Sequence, residues 1–515
     1  MRVAAVVPAI AAAFVLGACG GSGAEDAGTR AGSALSYLAS DASVIAFVTT
    51  DLETEQVRSL DENVIRPLGG SGLEEQLRRI ADESGISYDN DVKPLLGNDV
   101  AIGVERGASG DEGDFAFVAA LQTKDAESLH EVANRIAFFE PAGEDGGATL
   151  YRITQSTAFA AVEDDVLVIG DTRETLDRAL ARRDRGDGLD DDAVGARLTD
   201  LPGDAAVRAA GDADVLFTRD ELDQFSGVPW VAALRSFGAT ISADEGELRI
   251  DATLNTDPDD VGEDDLPLAS GDDAPEVLDR HGEIAGANGD QSQTTVFLLR
   301  AARAAYPDSR FVREIDALEE ELGIDFEQEI LRQFDGPSVS AVSPDGRRFA
   351  ARSEVSDPEE LVRAMRALAP RLPALIEGLQ GLESEGLALL FLFAPDAPIA
   401  ATRLAQVNVE EPADDEDFYH VSGLTGDGPS DLYFGVVDDN FVVASDEESA
   451  RAIADEETIE AEGAQGAGVL RADLAALADE AEERFGFRAD SFSELVGSLE
   501  ASEERLRARL RVEFR

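Results

Sequence analysis

The sequence predicts an α+β protein built from two tandem duplicated domains, each a mainly antiparallel sheet with helices packed on one face. Three observations carry that expectation. Ala161 to Leu180 (AVEDDVLVIGDTRETLDRAL) returns as Val436 to Ala454 (VVDDNFVVASDEESARAIA), and Val162, Asp164, Asp165 and Val168 find their counterparts 274 positions on, at Val436, Asp438, Asp439 and Val442. Both copies read as apolar strand, acidic turn, apolar strand and amphipathic helix, and serial units of that kind favour an antiparallel sheet covered by helices. A length of 515 residues suits two such domains better than one.

The chain opens with a short basic start, Met1-Arg2, and an apolar run from Val3 to Val15. Leu16-Gly17-Ala18-Cys19 follows at once, small residues ahead of a cysteine. That arrangement is expected to be a lipoprotein signal peptide over 1–18, with the Cys19 thiol taking a diacylglycerol. The apolar run is shorter than the ~20 residues a membrane span needs, and no later segment reaches that length. Two acyl chains are enough for stable attachment, so the mature chain is expected at the cell membrane, lipid-anchored on its extracytoplasmic face. Residues 19–32, which include the Gly-rich, polar run Gly20 to Arg30 (GGSGAEDAGTR), should form a flexible tether.

The first repeat is expected over 33–254. Ser43 to Thr50 is an apolar, β-branched run suited to a buried strand. Leu73, Leu77 and Ile80 recur at helical spacing, and Gly85 marks the stop. Strands follow at Asp99 to Glu105 and Phe115 to Gln122. Asp125 should cap a helix running to about Phe138, buried through Leu129, Val132 and Ile136. The hairpin comes next, then a helix from Thr172 to Ala181 capped by Asp171, an Asp-rich loop at 184–192, and paired strands at Ala239 to Ala243 and Glu247 to Leu254. Residues 255–273, dense in Asp, Pro and Gly without periodicity, read as an acidic linker.

The second repeat is expected over 274–515. Ile45, Asp51 and Val100 recur 239 positions later as Ile284, Asp290 and Val339. Gly85 and Gly323 each end a helix, and Arg505 to Phe514 mirrors the strand at Glu247 to Leu254. The second copy carries an insertion over 370–417 containing an apolar run whose Leu387, Leu389, Leu390, Phe391 and Phe393 are candidate apolar contacts. Burial in a core is the simpler reading of so short a run. The alternative is a flap over a lipid-sized cavity or against the bilayer.

The charge balance narrows the function. The chain holds 107 Asp and Glu against 43 Lys and Arg, a net −64. Such a surface repels nucleic acid and anionic headgroups, which excludes both as direct partners. Lys93 and Lys124 are the only lysines, a bias that fits a high-GC genome and an acidic surface kept soluble in brine, where the Debye length falls to about 3 Å at 1 M salt. Cys19 is the only cysteine, so no disulfide framework or thiolate cluster is available.

No catalytic motif emerges. The paired acids Asp164-Asp165 and Asp438-Asp439-Asn440 sit between apolar runs, where Asp and Asn tolerate φ > 0, so hairpin turns account for them. Asp-rich loops at 184–192, 257–265 and 414–417 lack the register that wraps one Ca²⁺, leaving weak, nonspecific divalent cation binding and no cofactor. His130, His281 and His420 lack ligand spacing, so no metal site is expected. Serine-acyl-enzyme, P-loop and Rossmann signatures are missing.

The lipobox Leu16, Gly17, Ala18, Cys19, the opening Tyr37-Leu38-Ala39-Ser40-Asp41-Ala42 and the doubled strand–Asp-Asp–strand–helix resemble a bacterial, largely actinobacterial, lipoprotein family known as domain of unknown function three-three-five-two. The resemblance implies an envelope lipoprotein and transfers no catalytic residue. The expected function is therefore a non-enzymatic, membrane-anchored lipoprotein that binds or scaffolds another envelope component, a protein or a lipid. A carrier for a lipid or apolar small molecule is the second expectation, and a hydrolase using acidic residues the third.

Overall fold

The computed structural model describes residues 31–67, 70–106, 115–199, 201–216, 224–244, 246–375, 402–412, 418–426, 429–477 and 491–515. The fold is α+β, with antiparallel strand pairing throughout its named ladders. The chain forms two compact units, the first chiefly residues 1–219 and 235–253, the second chiefly residues 220–234 and 254–513.

The strands of the first unit are β1 (Val44–Thr49), β2 (Asp99–Arg106), β3 (Phe115–Gln122), β4 (Phe139–Asp145), β5 (Ala148–Ile153), β6 (Phe159–Glu163), β7 (Val166–Gly170), β8 (Val207–Asp212), β9 (Leu234–Ala243) and β10 (Glu247–Thr256). Their order across the sheet is β4-β5-β6-β7-β3-β2-β1-β8-β9. A turn closed by the Asp244 N–H on the Glu247 carbonyl leads from β9 into β10. Among the described residues β4 pairs with β5 alone. Its side chains from Glu140 to Asp145 are exposed, it carries Pro141, and its ladder shifts register between Pro141 and Gly143. A proline, a register shift and acidic residues are ordinary protections for an edge strand.

The strands of the second unit are β11 (Val277–Leu278), β12 (Ile284–Asn288), β13 (Ser338–Val342), β14 (Phe349–Glu354), β15 (Thr402–Glu410), β16 (Phe418–Gly426), β17 (Asp431–Val437), β18 (Asn440–Ala444), β19 (Thr458–Ile459), β20 (Gly468–Asp473), β21 (Phe492–Ala501) and β22 (Arg505–Phe514). The sheet runs β15-β16-β17-β18-β14-β13-β12-β20-β21. A turn at Ser502 and Arg505 joins β21 to β22. Position for position this is the strand order of the first unit. The registers agree as well: Val48 faces Val100 on the β1–β2 ladder, and Ala287 faces Val339 on the β12–β13 ladder, each pair 239 residues from its counterpart.

Helices cover both faces of each sheet, where the sequence reading expected one. On β6, Ala161 packs with Leu176 and Ala179 of the helix Arg173–Arg185, whereas Ala160 and Val162 pack with Leu129 and Val132 of the helix Ala126–Ala133. In the second unit Val442 and Ala444 join Ala450 and Ile453, while Phe434 and Phe441 join Leu361 and Met365. The unbroken apolar runs of these strands are what burial on both faces demands. The acidic stretch 255–273 contributes buried Val261, Leu266 and Leu268 to the second unit's core.

Boundaries differ from expectation where capping chemistry decides them. Asp125 caps its helix through the Ser128 N–H at 3.0 Å, but the helix stops at Ala133 because β4 begins six residues later. Thr172, not Asp171, caps the helix Arg173–Arg185, which runs four residues past Ala181 and ends on Gly186 in the left-handed region. Asp190 caps a helix Asp191–Leu198, whose first two residues fall in the loop expected over 184–192.

Candidate functional site

A cluster of buried and part-buried polar contacts in the first unit lies around residues 31–43. Residues 31–43 cross one face of the sheet. Ser33 donates its N–H to Gln122 Oε1 at 3.1 Å at one end, and Ala42 leads into β1 at the other. Ala31, Ala34, Leu35, Tyr37, Leu38, Ala39 and Ala42 are all buried in the core shared with the helix Arg173–Arg185. A short antiparallel bridge joins Ala39 to Gly188, and the Leu189 N–H donates to the Leu38 carbonyl at 2.9 Å. Two glycines make the close approach possible. A Cβ on Gly188 would lie 2.2 Å from the Ser36 carbonyl oxygen, and one on Gly103 would press the Leu38 side chain at 3.1 Å.

Arginines from two helices fasten the segment. Arg182 donates to the Tyr37 carbonyl at 2.7 Å and to Glu105 Oε2 at 3.0 Å. Arg197 donates to the Ala42 and Ser40 carbonyls at 2.6 and 3.0 Å. The Tyr37 hydroxyl donates to Glu163 Oε2 at 3.0 Å, and Arg183 pairs with the other Glu163 oxygen. Glu163 is 5% exposed, so its charge is held by these two partners. Burial pushes the Tyr37 phenol up to about 12; Arg183 opposes the rise and the acids Asp164, Asp165 and Asp184 reinforce it. Buried and paired, the cluster fastens the chain.

The sequence reading named Tyr37 within its opening motif but missed Glu105, Glu163, Arg182 and Arg183. A signal was present. Arg183 lies four residues after Ala179 and three after Leu180, on the apolar stripe of its helix, where a charge needs a buried partner. Glu163 ends the strand that buries Ala160, Ala161 and Val162.

Other candidates resolve as follows. His420 stacks on Tyr433 with ring centroids 4.5 Å apart, Nε2 at 3.0 Å from Asp431 Oδ1 and Nδ1 at 3.6 Å from Glu410 Oε2. Hydrogen bonds from Ser430 and then His420 hold the Asp431 carboxyl below its usual range. His281 meets Asp473 at 2.7 Å in the second unit, and His130 lies on the helix Ala126–Ala133, so the three imidazoles are not brought together. Asp164 and Asp438 have φ of 52° and 51° at their hairpin tips. Among the described residues no three His, Cys, Asp or Glu side chains group so as to hold a metal ion. A polar cleft of about 320 Å³ in the second unit is lined by Arg303, Glu319, Ile324, Asp325, Glu327 and Gln328. Arg300 holds the Glu327 carboxyl below its usual range, Glu319 pairs with Arg303 at 2.8 Å, and Asp325 caps the Gln328 N–H at 3.0 Å. Each of these acids is engaged by a partner within the fold. Leu16, Gly17, Ala18 and Cys19, and the run Leu387, Leu389, Leu390, Phe391 and Phe393, lie outside the described residues. No helix among the described residues is long and apolar enough to cross a membrane.

Fold and site together define an α+β protein of antiparallel sheets whose leading segment is locked into the first sheet. Residues 2–192, which hold the docked segment, match the family described as protein of unknown function (DUF3352). No curated protein matches the chain. Among solved structures it is similar to crystal form III of TP0453, at 12% identity over 43% of this chain and 79% of that one, with a TM-score of 0.27. Crystal form IV (12% identity, 43% and 79%, TM-score 0.26) and crystal form I (10% identity, 43% and 77%, TM-score 0.25) are similar to the same degree.

Proposed function

We propose that this protein is a non-enzymatic lipoprotein, held by a diacylglycerol on Cys19 at the extracytoplasmic face of a membrane, whose two units bind or scaffold another component of the cell envelope. The observation that carries the reading is the docking of residues 31–43. Twelve residues after Cys19 the chain is already buried at Ala31 and then fastened by Tyr37, Arg182 and Arg197. A tether must end in a fastened segment if the anchor is to hold the folded body and not merely a fraying terminus. The shared strand order and register support reading the units as copies of one ancestral domain.

Membrane fractionation tests the anchor. Wild-type protein is expected in the membrane pellet and in the detergent phase of a detergent-partitioning assay. Cys19→Ala is expected to retain its signal peptide uncleaved and to lose the lipid, so the N-terminal peptide seen by mass spectrometry should lack a diacylglycerol. A wild-type chain that partitions with the aqueous phase would refute the anchor.

A further inference from the structure

We draw no further inference here: the strongest candidate, the polar cleft of the second unit lined by Arg303, Glu319, Asp325, Glu327 and Gln328, is a group of acids already engaged by partners within the fold, with no second observation among the described residues that points to a ligand.

Discussion

Tyr37 joins three parts of the first unit at one residue. Its ring is buried, its hydroxyl donates to Glu163 and its carbonyl accepts from Arg182. Tyr37→Phe keeps the packing and removes the donor, leaving one oxygen of a buried carboxylate without its partner, a loss expected to cost about 1–3 kcal/mol in urea unfolding. The pH dependence follows from burial, which raises the phenol to about 12 in the folded state. A folded value above the unfolded ~10 means that the native state binds the proton more tightly. That contribution is complete below pH 10 and is lost as pH rises toward 12. Wild-type stability should therefore fall over that window more steeply than that of Tyr37→Phe, as followed by circular dichroism. Parallel alkaline curves for the two proteins would contradict the role given to this hydroxyl.

At the scale of elements, the two hairpins were legible because their chemistry is local. An apolar run, an Asp pair and a second apolar run specify strand, tight turn and strand, and the structure places Asp164 and Asp438 at φ of 52° and 51°. A β-branched residue cannot adopt that backbone cheaply. Asp438→Val is expected to lose about 1–2 kcal/mol in chemical denaturation, whereas Asp438→Asn or Asp438→Gly should stay near wild type; three indistinguishable denaturation midpoints would show that the turn is not under this constraint. The strand Arg505 to Phe514 was likewise read to its ends, from its correspondence with the strand at Glu247 to Leu254. The docked segment was not legible, because its fastening comes from residues 105, 163, 182, 183 and 197, distant in sequence. Glycine at 103 and 188 gave no local sign either, since each is needed for what passes over it and not for its own turn. Helices on both faces were missed for a related reason: a fully apolar strand says that both sides are covered without saying by what.

At the scale of the whole molecule, charge outweighs every other feature. A net −64 on 515 residues stores self-repulsion that salt relieves. The melting temperature is expected to climb steadily as NaCl rises from tens of millimolar to 1 M, read by differential scanning calorimetry; a flat or falling series would show that surface repulsion is not what limits stability. Under the anchor proposed above, the same charge would keep the protein off anionic lipid and leave a diacylglycerol as its hold on the membrane.

The most direct test of that account is the mass of the N-terminal peptide of the protein isolated from its own membranes. A peptide beginning at Cys19 and carrying the added mass of a diacylglycerol is the expected result. A peptide that retains residues 1–18, or one that begins elsewhere with an unmodified cysteine, would contradict the anchor and with it the function proposed for the docked segment.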